Sequence, residues 1–187
     1  IPSASTRSES SPVVVCPAKG ELSERVEALG IRVEYRQPPL LKILNLPQAF
    51  AYALWLRGLI AKEGVQIVHC DTIPLAFLCA LASFFSGASL VFHARVSDSG
   101  GWADYVLPLI CDRIICVSKA VKARFPAVFA RKLSVIYNGV DLEVFDGRSD
   151  VSARAALNIA ADAKVAAYFG QVIKRKGLSD LAQAFAL

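Results

Sequence analysis

Short apolar runs rich in Val and Ile alternate along this chain with longer stretches of helical pattern, and the alternation leaves few architectures open. Strands are expected at Val13–Cys16, Arg32–Tyr35, Gln66–Cys70, Ser89–Phe92, Arg113–Val117, Leu133–Tyr137 and Lys164–Phe169. Helices are expected at Glu21–Leu29, Pro47–Glu63, Pro74–Phe85, Trp102–Cys111, Ser118–Phe125, Ser152–Leu157 and Leu178–Leu187, with Gly30 and Gly64 as C-terminal caps and Ser118 as an N-cap. The strand runs are short, β-branched and mostly apolar on both sides, which fits strands covered by helices on both faces of a parallel sheet. The expected fold class is therefore α/β, a doubly wound parallel sheet.

Turn residues cluster at Asn138-Gly139-Val140-Asp141 and again after Phe145, between the sixth strand and a new helix–strand pair, so a linker is expected near residues 138–150. This gives an irregular, Ser-rich lead-in over 1–12, a first domain over 13–145 and the beginning of a second over 146–187. The second contributes too few elements to enclose a core by itself. The chain begins at Ile1, contains no Met, and ends at Leu187 inside an apolar run without a closing Gly or Pro, so neither end reads as a native terminus.

Hydrophobic residues make up 55% of the chain and charged residues 20%, which excludes a disordered segment. The five Cys are odd in number, form no CxxC pair, and in three cases end apolar runs (Val15-Cys16, His69-Cys70, Ile115-Cys116), so they are read as buried, reduced thiols of a cytoplasmic protein. The net charge of +5 suits anionic ligands or an anionic membrane surface. No basic face interleaved with aromatics points to nucleic acid. The apolar stretch Ile73–Phe85 is too short to span a bilayer and reads as a buried crossover helix, whereas Leu40–Leu59 mixes Leu, Phe, Tyr and Trp with Lys42 and Arg57, leaving an interfacial membrane helix as a lesser alternative.

Chemistry is concentrated in two places. In Tyr168-Phe-Gly170-Gln171-Val-Ile-Lys-Arg-Lys176-Gly177-Leu, a strand pattern gives way to a glycine-bounded basic loop and then a helix. Unpaired N–H groups and the positive dipole end of that helix suit a phosphate, with Lys176 supplying a mobile charge. A solvated basic turn is the plain alternative. The loop is neither GxxxxGK[ST] nor GxGxxG, which removes the main support for nucleotide hydrolysis or dinucleotide chemistry. The second place is His93, read as directly following a strand, on the side where doubly wound sheets bind ligands. His69 is placed similarly. Among the carboxylates, Asp71 and Asp98 lie near strand ends, while Asp104 and Asp112 read equally well as helix-terminal residues. No metal-ligand spacing and no GxSxG elbow is present.

The ordered series Ile114-Ile-Cys-Val-Ser118, Leu133-Ser-Val-Ile-Tyr-Asn138-Gly139-Val140-Asp141, Tyr168-Phe-Gly170 and Lys176-Gly177, together with His93 and the segment Gly20–Val33, resembles glycosyltransferase family four over about residues 13–187. The resemblance implies a GT-B type pair of Rossmann-like domains, with the nucleotide-sugar donor held mainly by the second and the acceptor by the first. It implies a hexosyltransferase that retains anomeric configuration and needs no metal or other cofactor. The acceptor would be a glycan, a lipid-linked sugar or a small molecule, as in polysaccharide biosynthesis at the cytoplasmic face of a membrane. By the same comparison His93 is the catalytic histidine beside the reacting sugar. Lys176 is the diphosphate-binding lysine, with Gly170, Gln171 and Gly177 in its loop, and Asn138, Gly139 and Asp141 line the hinge and cleft. His69 is structural.

Two departures stand out. Gln171 occupies a position where many members carry an Arg, and the family's Gly-rich first strand and later acidic motif are missing, so these 187 residues alone are expected to be inactive. Two other readings stay open: an epimerase-like nucleotide-sugar enzyme, and a non-catalytic nucleotide-binding α/β module.

Overall fold

The computed structural model describes residues 12–41, 45–84, 86–96, 100–143, 151–160 and 162–185. Most of the expected lead-in and linker, Asp98 and the last two residues of the final helix lie outside them. The chain divides into a first unit, Ile1–Gly139, and a second, Val140–Leu187.

The first unit follows the alternation read from the sequence. Its elements are β1 (Val13–Cys16), α1 (Glu21–Ala28), β2 (Arg32–Tyr35), α2 (Leu46–Glu63), β3 (Ile67–Cys70), α3 (Ile73–Ser83), β4 (Ser89–Ala94), α4 (Ala103–Ile110), β5 (Arg113–Cys116), α5 (Lys119–Lys122) and β6 (Leu133–Val135). Every strand pairing is parallel, and each paired neighbour is reached through an intervening helix, which is the α/β architecture expected. The sheet comes in two pieces, however. β1 pairs only with β2, and β3-β4-β5-β6 form a separate four-stranded sheet, so β1 and β3 each keep one edge without a partner strand among the described residues.

Local chemistry explains most boundaries. Pro47 lies in the first turn of α2, where its missing N–H costs nothing, and Gly64 ends the helix at φ 59°, a left-handed cap that glycine adopts freely. The Ser118 hydroxyl accepts from the Val121 amide at 3.1 Å and caps α5, as expected. Lys132 closes the far end of α4 by donating to the Pro108 and Cys111 carbonyls at 2.7 and 2.9 Å, a cation placed where a helix leaves its last carbonyls unpaired.

Leu90, Leu107 and Ile114 are the largest apolar side chains fully enclosed between sheet and helices, with Ala76, Leu78, Cys79 and Ala82 of α3 beside them. α3 is thus the buried crossover helix anticipated from its sequence. All five cysteines are free and buried. Cys70 and Cys79 are close enough for their thiols to interact, and that neighbour together with burial pushes the Cys70 thiol up; burial pushes Cys111 up to about 12.

The same core holds one buried ion pair. Arg124 Nη2 lies 2.6 Å from Asp104 Oδ1, with side chains 7% and 2% exposed. The other carboxylate oxygen accepts from the Gly100 amide at 2.9 Å, and Arg124 also donates to the Val96 carbonyl. The pair ties α4 to the segments on either side of it. A Cβ at Gly100 would stand 2.7 Å from Asp104 Oδ1, so only glycine fits there without a shift.

In the second unit α6 (Val151–Ala156), a 3₁₀ turn (Lys174–Lys176) and α7 (Leu178–Phe185) form, but the strand expected at Lys164–Phe169 does not. A strand is completed by a neighbour's hydrogen bonds, and no described residue of this unit supplies that ladder. Phe169, 92% exposed, lacks the cover its apolar character calls for.

Candidate functional site

Parallel sheets bind ligands at the carboxyl ends of their strands. At that end of the four-stranded sheet, His69 lies in β3 opposite Val91, and His93 lies two residues further along β4 opposite Ile115 of β5. Because side chains alternate with a period of two, His69, Val91, His93 and Ile115 share one face of the sheet. The sequence reading placed His93 after the strand. It lies within it, because β4 runs on to Ala94 through its ladder with β5.

The two imidazoles meet, with ring centroids 5.4 Å apart and planes tilted by 49°. Directly beyond them Arg95 Nη1 binds Asp71 Oδ2 at 2.8 Å. Both members of that pair are substantially exposed, so it adds little stability and acts chiefly to hold two charges at the mouth of the histidine pair. Burial is the main influence lowering the His93 pKa, followed by His69 and Arg95; Asp71 works in the opposite direction. His93 is therefore a neutral imidazole near pH 7, able to donate from one ring nitrogen and accept at the other.

The sign of the linkage follows from that direction. The folded pKa lies below the ordinary 6.5, so the stability His93 contributes is present above 6.5 and is lost as pH falls through the folded value. Removing the neighbouring ring by His69→Gln is expected to move the His93 titration upward. Imidazole NMR resonances followed against pH measure this, and an unmoved midpoint would show that the two rings do not sense each other.

Sequence reasoning named His93 and Asp71 separately but missed their grouping with His69 and Arg95. A signal was present: His69-Cys-Asp71 and His93-Ala-Arg95 repeat a two-residue spacing at the ends of consecutive strands. Asp104 and Asp112 belong elsewhere. The first is the buried partner of Arg124, and the second accepts from the Leu90 amide at 2.7 Å, extending the β4–β5 ladder.

The basic loop lies in the second unit. Lys176 ends the 3₁₀ turn with its side chain exposed, and Gly177 follows at φ 69° before α7 begins. The Gln171 carbonyl accepts from the Tyr168 hydroxyl at 2.8 Å, and a Cβ at Gly170 would lie 3.2 Å from that same hydroxyl oxygen. Asn138 and Gly139 end the first unit and Asp141 lies in the second, all exposed; Asp141 Oδ1 accepts from the Glu143 amide at 2.9 Å. Among the described residues no cluster of three or more His, Cys, Asp or Glu could hold a metal ion.

The chain is similar to known proteins. The model of Glycosyltransferase Family 4 matches residues 7–144. A glycosyltransferase of Rickettsia africae ESF-5 superposes with a TM-score of 0.65 at 16% identity, over 81% of this chain and 42% of that one. Anabaena Alr3699/HepE, solved with UDP, gives 0.60 at 20% identity over 78% and 42%; with UDP and glucose it gives 0.55 over 78% and 41%. The chain thus spans about two fifths of the length of these relatives. None of the curated proteins matches it. The family model covers well over half of the chain, its fold is that of the GT-B enzymes, and the chain belongs to glycosyltransferase family 4.

Proposed function

We propose that the protein containing this chain transfers a hexose from a nucleotide sugar to a carbohydrate or lipid-linked acceptor with retention of configuration. The observation that carries the proposal is the neutral His93, held against His69 and the Arg95–Asp71 pair at the carboxyl end of the sheet, in a chain of this family. A UDP-sugar is the first donor to consider, since Alr3699/HepE binds UDP and glucose.

In the transfer, the bond from the anomeric carbon to the diphosphate oxygen breaks and negative charge grows on the leaving nucleotide. Lys176, next to the N-terminus of α7, supplies opposite charge to that diphosphate, and Gly170 and Gly177 let backbone approach it. Gln171 adds a hydrogen-bond donor without charge. His93 hydrogen-bonds the donor sugar and fixes its orientation. No metal is called for, because the lysine and the helix terminus meet the charge. The enzyme works in the cytoplasm, at the inner face of a membrane where polysaccharide precursors are assembled.

The test is transfer by the whole protein from UDP-, GDP- and ADP-sugars, with His93→Ala alongside. Turnover of one donor, retained anomeric configuration in the product and a loss on the order of a hundredfold in the variant support the reading. Binding of a donor without turnover would favour a non-catalytic nucleotide-binding module. Interconversion of the donor sugar without transfer would favour an epimerase.

A further inference from the structure

Past the histidine pair, the ends of β3 and β4 carry one more charged residue each. The period of two that sets His69 and His93 on one face, continued a step beyond each strand, brings Asp71 and Arg95 to the same side. Cys70 pairs with Phe92, so the next position, Asp71, comes level with His93. Both charges act on the His93 imidazole, Arg95 against its protonation and Asp71 in favour of it, which sets them beside the ring. Arg95 Nη1 donates to Asp71 Oδ2 at 2.8 Å. Much of the pair's bonding capacity stays open. Among the described residues the other N–H groups of Arg95 and the Asp71 Oδ1 have no hydrogen-bond partner, and the two side chains are 63% and 40% exposed.

Charge decides what this open rim can hold. The pair sums to zero, and His93 adds no charge near pH 7. A carboxylate or phosphate arriving here would compete with Asp71 for the guanidinium and stand beside the carboxylate it had displaced, a like-charge contact that works against binding. A cationic group meets the same opposition from Arg95. A hydroxyl meets neither: it accepts from an N–H of Arg95 and donates to a carboxylate oxygen of Asp71, and each bond polarises the other.

We infer that Asp71 and Arg95 determine acceptor specificity, binding hydroxyls of an uncharged sugar and turning away an acidic or phosphorylated group at this subsite. The inference rests on the transferase reading: where His93 orients the donor sugar, the acceptor hydroxyl that attacks it has to lie alongside, within reach of the next residues of the same two strands. No bond is made or broken by the pair itself.

The experiment is transfer by the whole protein, from whichever UDP-, GDP- or ADP-sugar it turns over, to matched acceptors. These are the p-nitrophenyl glycosides of glucose, galactose and mannose, set against those of glucuronic and galacturonic acid. Neutral acceptors are expected to exceed acidic ones about tenfold or more in kcat/KM, chiefly through KM. Asp71→Asn keeps the shape and an acceptor for Arg95 but removes the repelling charge, so the acidic-to-neutral ratio should rise about tenfold. Arg95→Gln should lower kcat/KM for the neutral acceptors by about tenfold without that rise. Each ratio is taken within one variant, so a partly unfolded sample or a weakened donor site cancels out of it.

A wild-type preference for the uronides, or a ratio that Asp71→Asn leaves unmoved, overturns the inference and leaves the transferase reading standing. Donor hydrolysis with no transfer to any neutral glycoside does the same. Absence of turnover of every donor removes the transferase reading itself, and the inference with it.

Discussion

Replacing Asp104 by Ala is expected to destabilise the protein by about 3–5 kcal/mol, the cost of leaving one partner of a buried ion pair without the other. Arg124 would keep its charge at 7% exposure and lose its carboxylate partner Asp104. The Gly100 amide would lose its acceptor as well. Trp55 and Trp102 both lie in the first unit, so Trp fluorescence during urea unfolding carries a report on this core. A shift of the midpoint corresponding to less than about 1 kcal/mol, the range of an exposed pair, would show that the pair is solvated. Substituting both partners by apolar residues should recover much of the loss, because no unpaired charge then stays buried.

If the protein acts as proposed, the largest effect on activity is expected from Lys176→Ala, a fall of about a hundredfold or more in kcat/KM for transfer by the whole protein. The lysine is exposed, so stability should be unaffected. Lys176→Arg keeps the charge but exchanges a compact ammonium for a planar fork, and it should restore activity only in part. Gln171→Arg tests the same electrostatics in the other direction: if the loop holds the diphosphate as proposed, an added cation there should tighten donor binding. If Lys176→Ala left transfer unchanged, the basic loop would be a solvated turn and the diphosphate would be bound elsewhere.

How much of this was legible in the sequence depends on whether the information was local. The Val- and Ile-rich runs gave the strands of the first unit to within a residue or two, because an apolar β-branched segment between turn residues has few other uses. Pro47, Gly64 and Ser118 marked helix ends for equally local reasons. Lys164–Phe169 is mostly apolar, like the strands that form, yet a strand also depends on the neighbour that completes its ladder. Asp104 and Arg124 are 20 residues apart in sequence and each would pass for a surface charge; only the packing of α4 beside the segment after α5 makes them partners. The histidine pair lay between these extremes. Each ring was visible as a strand-end residue, but their meeting depends on the β3–β4 register, which only the assembled sheet supplies.

The cysteines give this protein an internal clock for its own opening. All five thiols of this chain are buried in the first unit, so each is silent toward a thiol reagent until that unit opens around it, and their labelling does not report on the second unit. Cys16 belongs to the two-stranded sheet, whereas Cys70 and Cys116 belong to the four-stranded one. A pair of strands is marginal by itself and four covered by helices are not. The order in which the thiols react therefore tells whether the two sheets breathe as one body or the smaller one opens first.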